Sequence, residues 1–147
     1  MAEGFARKYG SDVMKAASAG LSPASIVQPL TKKVMEAKNI NIDSQSPKSL
    51  NSVPARSFDL IVNMSGAPLA TRIPVPVREW PIEDPIGCSE EIYEAVRDQI
   101  EMRVMMLILE LRREAAKPAS EAAAVRAPEN APKTRTRLQA PKARNRV

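Results

Sequence analysis

The chain has 147 residues, a length that suits one domain. It carries no histidine and one cysteine, Cys88, so it cannot form an internal disulfide, a Cys-His catalytic pair or a thiolate cage for zinc by itself. The net charge of +5 belongs to the C-terminal segment, since residues 1–114 carry 14 basic and 15 acidic side chains and residues 115–147 carry 8 and 2. A basic catalytic face therefore cannot be inferred from the basic pI. Because histidine is absent and cysteine occurs once, we expect no metal, and we expect no cofactor.

The longest apolar run, residues 104–109, is far too short to span a bilayer. No charged segment followed by an apolar one, as in a signal peptide, heads the sequence. We therefore expect a cytoplasmic protein without a membrane partner.

The first elements are short. Residues 2–9 predict a helix, because Phe5 and Tyr9 lie four apart on one face, and Gly10 is a suitable residue for its end. Residues 13–17 are apolar enough to predict a short strand, which ends at a Ser-Ala-Gly run.

A second helix is predicted to follow Pro23 and Ser25. Pro29 falls within its first turn, where the missing N–H is tolerated. The apolar positions spaced three or four apart are Ile26, Leu30, Val34 and Ala37.

The middle of the chain alternates loops and strands. Residues 40–57 read as a polar loop with a possible short helix at 48–51, and residues 58–64 form the clearest strand, β-branched and largely apolar. Three prolines make residues 65–76 an irregular connection, after which residues 77–82 predict a last, short strand.

The last helix has the clearest signals. Ser89 is a good N-cap, and Glu90 and Glu91 suit the first turn. Arg112 and Arg113 indicate its C-terminal end. One apolar stripe is formed by Ile92, Val96, Ile100, Val104, Leu107 and Leu111.

Strands that alternate with helices predict an α/β layer fold with a parallel sheet. We expect residues 1–114 to form this domain. Residues 115–147 are rich in Ala, Pro, Lys and Arg without a period, which predicts a disordered basic tail.

These segments together resemble the low-molecular-weight protein tyrosine phosphatase family and its relatives, the thioredoxin-coupled arsenate reductases. The resemblance covers residues 1–113 and implies a three-layer α/β fold with a small parallel sheet. It rests on the order and spacing of Met-Ala-Glu-Gly at 1–4, Ser-Ala-Gly at 18–20, the strand at 58–62, Trp80 with Asp84-Pro85, and the helix at 96–100.

The resemblance implies catalysis by a Cys-x5-Arg-Ser loop and a general acid. In the family the loop's thiolate attacks phosphorus, and backbone N–H groups at the helix N-terminus hold the phosphate. Asp84 matches the acid, which protonates the leaving oxygen; the alternative is that Asp84-Pro85 only shapes a turn. Cys88 has no x5-Arg partner and follows the acid loop, so we do not assign it as the nucleophile.

The nucleophilic loop is missing from this sequence. The resemblance places it, with the first strand of the sheet, directly before Met1. We therefore expect the sheet to lack its first strand and the chain as written to be inactive. Either the coding sequence begins further upstream, or the chain is a decayed remnant.

Three functions remain open. The first is hydrolysis of a phosphotyrosyl protein or a small phosphate ester. The second is arsenate reduction on the same fold, which usually needs further cysteines in the loop that begins at residue 64 and here would need an external thiol. The third is a non-catalytic binding protein whose tail, 115–147, contacts nucleic acid weakly, although no aromatic residue accompanies its basic side chains.

Overall fold

The structure, a computed structural model, describes residues 1–69 and 73–124. Three helices and a pair of strands carry the fold in this part of the chain. They are α1 (Ala2–Tyr9), α2 (Pro29–Glu36), β1 (Ile61–Asn63), β2 (Val77–Glu79) and α3 (Glu90–Ala124), with 3-10 turns at Leu50–Ser52 and Ala55–Ser57.

Helix α1 confirms the prediction for residues 2–9, but Gly10 has a different role from the one expected. Its φ of −122° lies outside the left-handed region, so the helix end does not demand glycine. A Cβ at Gly10 would instead stand 2.8 Å from Cγ1 of Ile108, which is fully buried. Glycine is therefore required because α1 and α3 approach each other closely here.

The predicted strand at residues 13–17 is wrong. The N–H groups of Val13 and Met14 both donate to the Gly10 carbonyl, at 3.0 and 2.9 Å, and so form a turn. An isolated parallel bridge, Gly20 with Ser49, forms three residues after the predicted range. Donors already used by a local carbonyl are not available to a sheet, which explains why the apolar run does not become a strand.

Helix α2 begins later than predicted. Pro29 takes the first helical position, where its fixed φ and missing N–H fit, and Gln28 precedes it as the N-cap. Ile26 lies outside the helix and is 61% exposed, whereas Val34 and Met35 are buried.

The sheet confirms the predicted α/β class with a small parallel sheet. Strands β1 and β2 pair in parallel with Ile61 opposite Val77 and Asn63 opposite Glu79. Both strands are shorter than the predicted ranges 58–64 and 77–82.

Helix α3 organises the core. It packs against α1 and α2, and its buried face meets apolar residues from both helices and from the segment that follows α2. Tyr93 is buried, whereas Ile92, which was predicted for the stripe, is 44% exposed. The principal buried apolar residues are Phe5, Met35, Ile40, Ile42, Trp80, Val96, Ile100, Val104, Leu107 and Ile108.

The C-terminal end of α3 differs from the prediction. The helix does not end at Arg112 and Arg113 but continues to Ala124, ten residues into the segment 115–147. The predicted tail from 125 onward lies outside the described residues, so its disorder and its contact with nucleic acid remain predictions. In the described residues no helix is long and apolar enough to cross a membrane.

Candidate active site

The two parallel strands end at the same edge of the sheet. The loop after β1 and the loop after β2 leave from this edge, which is where open α/β sheets place their ligands. The backbone N–H of Trp80 donates to the carbonyl of Asn63 at 2.8 Å and so holds the two loop beginnings together. Asp84, the predicted general acid, lies in the second loop.

The Asp84 loop is a fixed turn with an exposed carboxylate. Oδ1 of Asp84 accepts the N–H of Ile86 at 3.1 Å, and the carbonyl of Pro85 accepts the N–H of Cys88 at 2.9 Å. Gly87 has a φ of +83°, which glycine adopts without strain. The carboxylate therefore shapes the turn and also faces solvent, so the two interpretations of Asp84 are compatible with each other.

Trp80 anchors the beginning of this loop. Its side chain is buried in the core formed with α1 and α3. The indole thus fixes the backbone four residues before Asp84.

Sequence reasoning missed Asn63, a buried polar side chain at the end of β1. Its Nδ2 donates to the carbonyl of Ala67 at 2.8 Å. Its Oδ1 accepts the Ser65 hydroxyl at 2.8 Å and the Ser65 N–H at 3.2 Å. An amide that ends an otherwise apolar strand was the available signal, because a buried amide must find such partners. Asn63 therefore sets the course of the loop next to the Asp84 loop.

A second buried polar group, Glu3, stands in the first turn of α1 and is 4% exposed. It accepts a hydrogen bond from the Ser18 hydroxyl and forms an ion pair with Arg7 at 2.6 Å. Lys48 lies further away, at 3.9 Å. A carboxylate in the first turn is favoured by the helix dipole. Residues 1–4 and 18–20, which were noted separately in the sequence, are thus brought into contact.

Cys88 is exposed and lies on the same turn as Asp84. The sixth residue after it is Glu94 rather than an arginine, so it does not begin a Cys-x5-Arg loop. The structure therefore gives no reason to assign it as the nucleophile. Among the described residues no three His, Cys, Asp or Glu side chains are grouped so as to hold a metal.

Two shallow depressions lie away from this edge of the sheet. One, of about 250 Å³, is lined by residues of α1 and of the segment 39–45. The other, of about 360 Å³, lies along α3 at Met106 and Glu110. Neither contains Asp84, so neither is a natural continuation of the predicted site.

Known proteins similar to this chain agree on its family. The family described as low molecular weight phosphotyrosine protein phosphatase matches residues 1–117. The glutaredoxin arsenate reductase of Synechocystis sp. is 31% identical over 117 residues, covering 76% of this chain and 87% of the relative. A solved arsenate reductase in the reduced state is 30% identical with a TM-score of 0.67, covering 74% of this chain and 86% of that one. Another, in a phosphate-binding state, is 30% identical with a TM-score of 0.66, covering 75% and 86%.

These relatives bear on the choice between the functions left open by the sequence. All three are arsenate reductases. They favour the arsenate reductase alternative over the phosphatase interpretation.

Proposed function

The chain belongs to the low molecular weight phosphotyrosine protein phosphatase family, and we propose that it is an arsenate reductase of this fold. Its substrate is a small tetrahedral oxyanion, arsenate, with phosphate as the close analogue that occupies the same site. The observation that carries the proposal is the similarity to arsenate reductases over three quarters of the chain, and the exposed Asp84 carboxylate on its fixed turn is the proton donor that the reaction needs.

The overall reaction consumes two thiols. Arsenate and two thiols give arsenite, one disulfide and water, so that arsenic gains the two electrons that the sulfurs lose. In the first step a thiolate bonds to arsenic and an oxygen leaves as water. Asp84, as general acid, donates the proton that this oxygen needs, a contribution of about 10²–10⁴ in rate.

The need for two thiols limits which of them this chain can supply. The sequence supplies one cysteine, Cys88, so at least one of the two thiols comes from elsewhere. We propose that external thiols act on the arsenate and that a small thiol such as glutathione completes the reduction. The name of the Synechocystis relative, a glutaredoxin arsenate reductase, supports a route of this kind.

The polar groups around the site have supporting roles. Glu3 and Ser18 fix the first turn of α1. Free N–H groups at such a helix end favour a bound oxyanion and lower the pKa of a nearby thiol. Asn63 fixes the loop that leaves β1 at the same edge of the sheet as the Asp84 loop.

The test assays the chain for arsenate reduction with and without added glutathione and glutaredoxin, and hydrolysis of an aryl phosphate is measured in parallel. We expect arsenate reduction only when the thiols are present, at a rate above that of the thiols without the protein. A rate no higher than that of the thiols alone would contradict the proposal, and aryl phosphate hydrolysis without arsenate reduction would favour the phosphatase.

Asp84→Asn in the active protein is expected to lower kcat by about 10²-fold or more. The asparagine oxygen can still accept the Ile86 N–H, so the turn is retained while the proton is lost. Asp59→Asn is the matched control, since Asp59 is also exposed but lies before β1. Equal rates for the two variants would remove Asp84 from the mechanism.

A further inference from the structure

The outward face of α3 is unusually apolar for a surface helix. Met102, Met106 and Leu109 are 58%, 64% and 47% exposed, respectively. They lie on the side of the helix opposite the buried Val104 and Ile108, where charged residues are typical. We call Met102, Met106 and Leu109 the outer stripe.

The spacing of the outer stripe is that of a helix seam. Its members are four and three residues apart, and the same alternation continues in both directions along the described helix. The further positions are Ile92, Ala95 and Gln99 on one side and Arg113 and Ala116 on the other, of which Gln99 and Arg113 are polar. Apolar residues at alternating intervals of three and four are what one helix presents to another in a coiled coil. The occupant that this pattern fits is therefore a second helix.

The charges along α3 indicate that the second helix is another copy of α3. Residues 90–101 hold five carboxylates and one arginine, a net of −4, whereas residues 102–117 hold four basic and two acidic side chains, a net of +2. Two copies of α3 side by side in parallel would bring like charges together. Two antiparallel copies bring the acidic half of each against the basic half of the other.

The arrangement is self-complementary about one point. Asp98 and Arg113 lie at equal distances along the sequence from the midpoint between Met105 and Met106. A two-fold axis at this midpoint places Met102 of one copy opposite Leu109 of the other. It also places Asp98 opposite Arg113, twice; Asp98 already pairs with Arg97 and Lys38 within its own copy but is half exposed. Such an interface, with the same patch on both partners, is the commonest form of homodimer.

We propose that a second copy of this chain packs antiparallel against the outer stripe of α3 and forms a two-fold symmetric dimer. Three exposed apolar side chains form a small interface compared with the roughly 800 Å² per partner of stable complexes. The dimer is accordingly a weak one that forms at micromolar concentrations and above.

The first experiment is sedimentation equilibrium of the full chain over a concentration series, for the wild type and two variants. Met106→Glu is expected to raise the dissociation constant at least tenfold. Ile26→Glu is the matched control, because Ile26 is 61% exposed but lies outside the stripe, and we expect a change of less than twofold. Circular dichroism and a thermal melt establish that each variant is folded.

The second experiment identifies the partner and its direction. Asp98→Arg and Arg113→Glu each place two like-charge pairs across the proposed interface, so each variant alone is expected to dimerise at least fivefold more weakly than the wild type. An equimolar mixture of the two restores two opposite-charge pairs and is expected to dimerise more tightly than either alone. Added salt is expected to reduce these differences, because exposed charges are screened.

Three results would overturn the proposal. They are a wild type that stays monomeric to several hundred micromolar, an equal effect of Met106→Glu and Ile26→Glu, and a mixture no tighter than its components. A monomeric wild type whose 1–124 truncation dimerises would assign the stripe to the chain's own segment 125–147. A dimer indifferent to the charge changes would place the interface elsewhere.

Discussion

At the scale of single residues, glycine is selected here by close packing as well as by turn geometry. Gly87 has a positive φ on the Asp84 turn, where no atom within 4 Å would meet a Cβ. Gly10 has an ordinary negative φ, but Ile108 and the Ala6 carbonyl would stand 2.8 and 3.1 Å from a Cβ. Local sequence can suggest the first kind of glycine, but the second depends on a residue almost a hundred positions away.

Gly10→Ala is therefore expected to destabilise the protein by about 1–3 kcal/mol, the usual cost of an added methyl group in a packed core. Ile108 is fully buried and cannot move aside cheaply. The measurement is the free energy of unfolding in urea. Gly20→Ala is the control, since its nearest neighbour would be at an ordinary 3.4 Å and its cost should stay below that of Gly10→Ala. A reversed order would contradict the packing argument.

At the scale of elements, α3 holds the other helices through polar as well as apolar contacts. The Arg97 side chain is 7% exposed, and its Nη1 donates to the carbonyl of Val34 at 3.1 Å, in the last turn of α2. Its Nε donates to Asp98 at 2.8 Å, and this bond lowers the pKa of the Asp98 carboxyl. The carbonyls of a last helical turn lack partners within their own helix, so Arg97 joins α2 to α3 by supplying one.

Arg97→Ala is expected to cost about 1–3 kcal/mol of stability, because it leaves the Val34 carbonyl without this donor and removes the buried stem of the arginine. Thermal or urea unfolding of the variant measures the loss. Arg103→Ala, on the same helix but half-buried, is the comparison, and we expect it to cost less. If the two variants unfold alike, the bond to Val34 contributes little.

At the scale of the whole molecule, several carboxylates pair with basic side chains, most of which lie on another helix or loop. In these pairs a hydrogen bond from the basic side chain holds the pKa of the carboxyl group below its usual value. The pairs are Asp12 with Arg112, Asp43 with Lys32, Asp98 with Arg97, and Glu110 with Arg78. Most of these groups are exposed, so each pair contributes modestly and is screened by salt.

The direction of these pKa shifts predicts how stability depends on pH. A carboxyl group whose pKa is lower in the folded state stabilises the fold when ionised. This contribution is complete above the unfolded pKa, about 4, and is lost as the pH falls through the lower, folded value. We expect the urea midpoint to fall steadily below about pH 4, and less steeply in 1 M NaCl. A midpoint that is constant or rises between pH 5 and pH 3 would contradict this account.

The sequence by itself determined the types of most elements and the family. Helix α1, the beginning of α3, the two parallel strands and the position of Asp84 followed from periodicity, capping residues and motif order. These signals act over a few residues, so they can be read without the fold. The Asp84 turn could be predicted for the same reason, since its hydrogen bond to Ile86 spans two positions.

Only the tertiary structure decided the features that depend on distant neighbours. In the structure, residues 13 and 14 form a turn on Gly10 where a strand was predicted, and Tyr93 is buried whereas Ile92 is exposed. Glu3 is hydrogen-bonded to Ser18. The tertiary structure also decided which apolar face of α3 meets the core and which apolar stripe faces outward. The helical period alone does not distinguish these two faces. In each case the deciding partner lies elsewhere in the chain, and its contribution to the free energy exists only after the chain has folded.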